Sequence, residues 1–104
     1  MSEITLGGYM LKHERAAAFQ GSDGEAYSVG IYLPDEPDAR GLYGAALLFV
    51  RWSPQGDRPV GHLETGFLAW GGTPEEADSR IKLLSLYDVK VALDEAIAAA
   101  PGEW

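Results

Sequence analysis

The chain of 104 residues contains no cysteine, which excludes a disulfide framework, a cysteine-ligated zinc site and a thiol nucleophile. Basic residues are also scarce, because eight lysines and arginines stand against sixteen aspartates and glutamates, for a formal net charge of −8. Such a charge repels a phosphate backbone, so nucleic acid is an unlikely partner. Long apolar runs are missing too: the longest, AALLFV, covers residues 45–50, whereas a membrane-spanning helix needs about 20.

The composition that remains is that of an ordinary globular protein. Hydrophobic residues make up 46% of the chain and charged residues 23%. A chain of this length is expected to form a single domain, residues 1–104, with its own core. The first residues lack the basic and apolar regions of a secretory signal. We therefore expect a cytoplasmic protein without membrane association.

Alternating apolar residues predict a first β-hairpin. Residues 26–33 alternate cleanly, and the preceding GSDG fits a three-residue loop with Gly24 in the left-handed conformation. This register makes residues 9–20 the first strand, although helix propensity is high in residues 11–18. The paired positions would be Phe19 with Tyr27 and Ala17 with Val29.

A second hairpin follows the acidic, proline-containing loop of residues 34–41. Its strands would be residues 42–52 and 60–70, with Trp52 near Val60. One face would be the core face, with Tyr43, Ala45, Leu47 and Phe49 opposite Leu63, Thr65, Phe67 and Ala69. The other, which we name the far face, is also largely apolar and would carry Leu42, Gly44, Ala46, Leu48, Val50 and Trp52 opposite Val60, His62, Glu64, Gly66, Leu68 and Trp70.

Two capping signals follow the second hairpin. Thr73, Pro74 and Glu76 have the spacing of a helix start. Ser85 and Asp88 repeat it, which predicts a break in the helical segment at Ser85. Beyond the break, Pro101-Gly102 would end the second helix. Its buried stripe would contain Leu86, Val89, Leu93, Ala96 and Ile97.

These elements predict an α+β fold, with a four-stranded antiparallel sheet of two consecutive hairpins followed by a C-terminal helical segment, ββββα, in two layers. One helical layer covers only one sheet face. The small residues Gly44, Ala46 and Gly66 could instead let the helix pack on the far face, which would exchange the two assignments. In either case the remaining apolar face needs another cover. A second copy of the chain is the favoured cover, and another protein, a ligand or curling of the sheet are the alternatives. The predicted interface residues are Leu48, Val50, Trp52, Leu68 and Trp70.

The candidate residues for chemistry are few. His62 and Glu64 would leave one strand face about 6–7 Å apart, as a base and its orienting carboxylate would. With Trp70 they form a predicted ligand-binding set, which is the alternative to an interaction surface. His13 has no motif that brings it near, and three tryptophans, Trp52, Trp70 and Trp104, exceed what a small core requires. We expect no metal and no cofactor. A non-enzymatic protein is favoured, and the alternative is an enzyme or small-ligand binder that uses His62, Glu64 and Trp70.

The order of four strands followed by a helix is similar to that of the Whirly proteins and of the transcriptional positive coactivator. That resemblance implies single-stranded nucleic-acid binding by a dimer, and such a site uses a basic sheet face with aromatic side chains. The basic residues of this chain are instead dispersed along the sequence. They are Lys12, Arg15, Arg40, Arg51, Arg58, Arg80, Lys82 and Lys90.

Overall fold

The structure, a computed structural model, describes residues 4–100. Trp104 and the predicted helix stop at Pro101-Gly102 lie outside the described residues. In chain order the elements are α1 (Leu6–His13), β1 (Ala18–Gln20), β2 (Ala26–Tyr32), β3 (Tyr43–Trp52), β4 (Pro59–Glu64), β5 (Ala69–Gly71), α2 (Pro74–Ile81) and α3 (Leu86–Ala99). None of the helices in this range is long and apolar enough to cross a membrane.

The predicted fold class is confirmed. The sheet is antiparallel with strand order β1-β2-β3-β4, and the short β5 pairs with the first residues of β3. The predicted core face is the one that the helices cover. Its central side chains are fully buried together with residues of all three helices, namely Tyr27, Val29, Leu47 and Phe49 from the sheet and Leu6, Ala77, Ile81, Val89 and Leu93 from the helices.

The first hairpin has the predicted register but a shorter first strand. Phe19 lies opposite Tyr27, the N–H of Val29 donates to the carbonyl of Ala17 at 3.0 Å, and Gly24 has a φ of 84°. The prediction of one strand over residues 9–20 is wrong, because Leu6–His13 is helical and β1 begins only at Ala18.

Contacts with the connection between α2 and α3 explain why this segment is a helix. Thr5 caps α1 by accepting from the N–H of Gly8 at 3.0 Å. The N–H groups of Leu6 and Gly7 donate to the carbonyls of Leu84 and Lys82. The first turn of α1 is thus anchored to the connection between α2 and α3, and helix propensity determines the rest.

The second hairpin keeps the predicted register in its middle and departs from it at both ends. Near the loop, the register shifts between Arg51 and Trp52, so Trp52 lies opposite Pro59 and the predicted pairing with Val60 is wrong. Val50 lies opposite His62, and Leu48 opposite Glu64. Beyond Glu64 the strand breaks for residues 65–68, and pairing resumes with Ala69 opposite Ala45. An unbroken strand would have placed Phe67 there, so the register has shifted by two residues.

The helical break is confirmed at Ser85. Thr73 caps α2 through the N–H of Glu76 at 3.1 Å, with Pro74 as the first helical residue. Ser85 caps α3 in a reciprocal capping box with Asp88. Each helix therefore starts where the sequence places a local capping signal.

Candidate functional site

The far face of the sheet carries a partly exposed apolar surface. Leu48, Val50 and Trp52 on β3 are half-buried, and the indole N–H of Trp52 donates to the hydroxyl of Ser28 at 2.9 Å. Trp70 lies opposite Gly44 and is 38% exposed. These four interface candidates therefore share one face, and Leu48 and Val50 are sheltered only in part.

Two further aromatic residues belong to the far face. Tyr32 lies opposite Ala46 and is exposed; the alternation of β2 combined with the β3 register could have placed it there. Phe67 was predicted on the core face, and that prediction is wrong. Its ring occupies the space where a side chain at Gly44 would stand, 2.6 Å from an added Cβ, and 46% of the residue is exposed. No local signal marks the two-residue shift that moves it.

Charge is nearly missing from this surface. Among the described strand residues that alternate onto the far face, Glu64 alone carries a formal charge at pH 7. The rest of the chain carries most of the net charge of −8. The far face is thus the least repulsive surface through which a second acidic protein can approach.

The guanidinium group of Arg40 lies at one end of the far face. The guanidinium carbon of Arg40 stands 5.9 Å from the ring centroid of Trp70, which is cation–π geometry. Asp38 holds that guanidinium with an ion pair of 2.9 Å, and the hydrogen bond from Arg40 lowers the pKa of Asp38 below its ordinary value. The loop before β3 therefore holds the guanidinium group of Arg40 against Trp70 at this end of the far face.

The other end is a shallow depression. Its volume is about 430 Å³, and its lining includes Leu48, Val50, Pro59, His62 and Glu64. His62 and Glu64 are both exposed. In the part of the chain that the structure describes, no hydrogen bond or ion pair joins them, and no three acidic or histidine side chains are grouped to hold a metal ion.

The three predicted ligand-binding residues do not form one compact site. Trp70 pairs with Gly44, whereas Glu64 pairs with Leu48, four positions further along β3. At about 3.3 Å per residue, that separates them by roughly 13 Å. A small ligand that contacts His62 and Glu64 would not reach the indole.

Leu68 lies in a different place from the one predicted. Instead of the far face, it borders a groove of about 240 Å³ between α3 and the end of β4, which we name the edge groove. Its lining includes Glu64, Thr65, Leu68, Ala92, Glu95 and Ala96. The break after Glu64 has turned Leu68 toward the helix layer, so it is not part of the apolar surface around Leu48.

Comparison of the chain with models of protein families, with curated proteins and with solved structures finds no match.

Proposed function

We propose that the protein is a non-enzymatic interaction protein that pairs with a second copy of itself through the far face. The observation that carries this proposal is the asymmetry of the sheet. Three helices bury one face, while the described residues provide no helix for the other, where Trp70, Phe67 and Tyr32 are exposed. Exposed apolar surface of this kind is typical of protein interfaces.

The size of the far face supports a dimer. β3 has ten residues, or roughly 33 Å, and four strands at about 4.8 Å spacing span roughly 15–19 Å. The other strands are shorter, with three, seven, six and three residues for β1, β2, β4 and β5, so the strands cover on the order of 450 Å². Stable interfaces bury about 800 Å² per partner, and crystal contacts mostly less than about 400 Å². The strands provide most of such an interface, and Phe67 and the loop holding Arg40 extend it.

The low charge of the far face allows two copies of this acidic chain to meet there. Two chains with a net charge of −8 repel each other at long range. If the two copies meet through their far faces, Glu64 is the only charged strand residue that each copy brings toward its partner. Raised ionic strength screens the remaining repulsion, so the dimer should become tighter as salt increases.

The test is sedimentation equilibrium of the wild type and of Trp70→Ala between 1 and 200 μM. Tyr87→Ala is the matched control, since Tyr87 is an aromatic residue that is 70% exposed on the helix layer. An indole exposed to 38% presents roughly 90 Å² of its surface. At about 25 cal/mol per Å², its burial is worth about 2 kcal/mol per protomer.

We expect a wild-type dimer, at least tenfold weaker self-association for Trp70→Ala, and no change for Tyr87→Ala. A wild-type monomer at 200 μM would refute the proposal. Equal weakening by both substitutions would refute the assignment of the interface to the far face.

A second candidate function is suggested by the depression around His62. Its volume lies within the roughly 300–1,000 Å³ of small-molecule sites, and it combines apolar walls with one imidazole and one carboxylate. We propose a small apolar ligand with one polar group as the occupant. A fragment screen by NMR tests this: hits should shift Leu48 and Val50 in the wild type, and both shifts should be lost in His62→Ala.

Single-stranded nucleic-acid binding is the less supported alternative. Half of the eight basic residues, Arg40, Arg80, Lys82 and Lys90, form ion pairs with carboxylates of the chain itself. Lys12 lies on α1 and not on a strand. Phosphate-binding proteins need such cations clustered and available for phosphate.

A further inference from the structure

Within residues 4–100, the outer edge of β4 carries backbone hydrogen-bonding groups with no partner strand. The N–H of Thr65 donates to the carbonyl of Leu47 at 3.0 Å, and the N–H of Leu47 donates to the side-chain hydroxyl of Thr65 at 3.0 Å. The pairs in phase with this contact, Leu63 with Phe49 and Gly61 with Arg51, therefore direct their backbone groups toward each other. His62 and Glu64 lie between those pairs, and their N–H and C=O groups therefore point away from β3. β4 is the last strand in the order β1-β2-β3-β4.

The edge groove lies beside this edge on the helix side. Ala92 and Ala96 of α3 leave room for a side chain, and Leu68 adds an apolar wall. Glu64 and Glu95 border the groove, both are exposed, and neither forms an ion pair within residues 4–100. The groove thus combines apolar walls with two carboxylates that lack a cation.

We propose that the outer edge of β4 binds an extended peptide strand of a partner protein, with a lysine or arginine side chain of that strand in the edge groove. Strand addition uses exposed edge groups for affinity and takes specificity from sites for alternate side chains. A basic side chain has a long apolar stem and a charged head, which match the alanine and leucine walls and the two carboxylates. The net charge of −8 also favours a basic partner.

This inference does not depend on the proposed dimer. The edge groove and the outward groups of β4 lie at the side of the sheet, whereas the dimer would use its far face. Glu64 borders both surfaces, so two other substitutions separate the proposals: Trp70→Ala tests the dimer, and Glu95→Gln tests the edge.

The probe is a fluorescently labelled, end-capped heptapeptide of sequence TVTKTVT, with fluorescence anisotropy at low salt as the readout. One control peptide has glutamate in place of the lysine, and another carries N-methyl groups on alternate backbone nitrogens. We expect the lysine peptide to bind at least fivefold tighter than the glutamate peptide. Methylation on the set of nitrogens that faces β4 should abolish binding, because it removes the ladder donors.

The matched protein variants are Glu64→Gln, Glu95→Gln and Glu36→Gln. Each of the first two should weaken the lysine peptide about two- to fivefold, as expected for an exposed ion pair. Glu36 is an exposed carboxylate in the loop before β3, and its substitution should have no effect. All three positions are exposed, so the fold is expected to persist.

NMR amide shifts decide where the peptide lies. Shifts centred on His62 and Glu64 on addition of the lysine peptide support the proposal. Equal binding of the N-methylated peptides, or shifts confined to Leu48, Val50 and Trp70, would overturn it. Shifts at Leu68 and Glu95 that follow protein concentration without peptide would assign the edge groove to a second copy of the chain, and the proposal would then be wrong.

Discussion

Substitution of Gly71 by alanine tests how closely α2 packs on the sheet. A Cβ at Gly71 would stand 2.6 Å from the backbone nitrogen of Ala77 and 2.9 Å from the carbonyl carbon of Glu76. Ordinary contacts begin near 3.4 Å, so the helix would have to move by roughly 0.8 Å, and no side-chain rotation can relieve a backbone clash. α2 carries Ala77 and Ile81, both fully buried. Its displacement therefore loosens the core.

The expected cost of Gly71→Ala is about 1–3 kcal/mol, the usual range for overpacking. For a domain of this size, that lowers the melting temperature by roughly 4–8 °C per kcal/mol. Gly66→Ala is the matched control, because Gly66 has nothing within 4 Å of an added Cβ and no positive φ. It should be neutral or stabilising by up to about 1 kcal/mol through the unfolded chain.

The assay is urea unfolding followed by circular dichroism, with the thermal midpoint as a second measurement. Unfolding free energies of Gly71→Ala and Gly66→Ala that agree within about 0.5 kcal/mol would refute the close packing of α2 against β5. A lower stability of Gly66→Ala than of Gly71→Ala would contradict the conformations of both glycines.

Three other perturbations have defined outcomes. Ser85→Ala removes the cap of α3 and should cost about 1 kcal/mol in urea unfolding, whereas no loss would contradict the capping box. The hydrogen bond from Lys90 lowers the pKa of Asp94 below 3.8. The ionised carboxylate therefore stabilises the fold above that pH, and this stabilisation is lost as the pH falls. The difference in unfolding free energy between wild type and Asp94→Asn should accordingly vanish in acid. Burial of the Tyr27 side chain raises its pKa far above 10, and the hydrogen bond that its hydroxyl donates to Asp23 adds to this effect. The neutral phenol therefore stabilises the folded protein below pH 10, and this stabilisation is lost above it. Absorbance at 295 nm should show one tyrosine that ionises only when the protein unfolds. If this late ionisation is still seen in Tyr27→Phe, its assignment to Tyr27 is wrong.

The elements predicted correctly are those whose signals are local. Gly24 fixes the loop of the first hairpin, and the loop fixes the pairing of Phe19 with Tyr27. Thr73 and Ser85 mark helix starts because a capping residue acts on donors only three residues away. The alternation of β3 likewise placed Leu48 and Val50 together on the far face.

The errors arose where distant contacts decide the structure. The carbonyls of Lys82 and Leu84 anchor α1. No feature of the sequence of residues 4–13 indicates this contact. The two-residue shift before β5 moves Phe67 onto Gly44 and Leu68 toward α3. A shift of this kind depends on how α3 meets the end of β4, so single-strand alternation could not predict it. For that reason, the edge groove was not foreseen.

The anchoring of α1 has a consequence for the order of events during synthesis. Residues 4–7 leave the ribosome before residues 82–86, which hold their hydrogen-bonding partners. Until that later segment emerges, Leu6 has no core to enter, and a helix of eight residues is marginal in water by itself. Although α1 precedes the other described elements in the chain, it is thus among the last that can dock, and a nascent chain stalled before residue 82 would carry it unfolded.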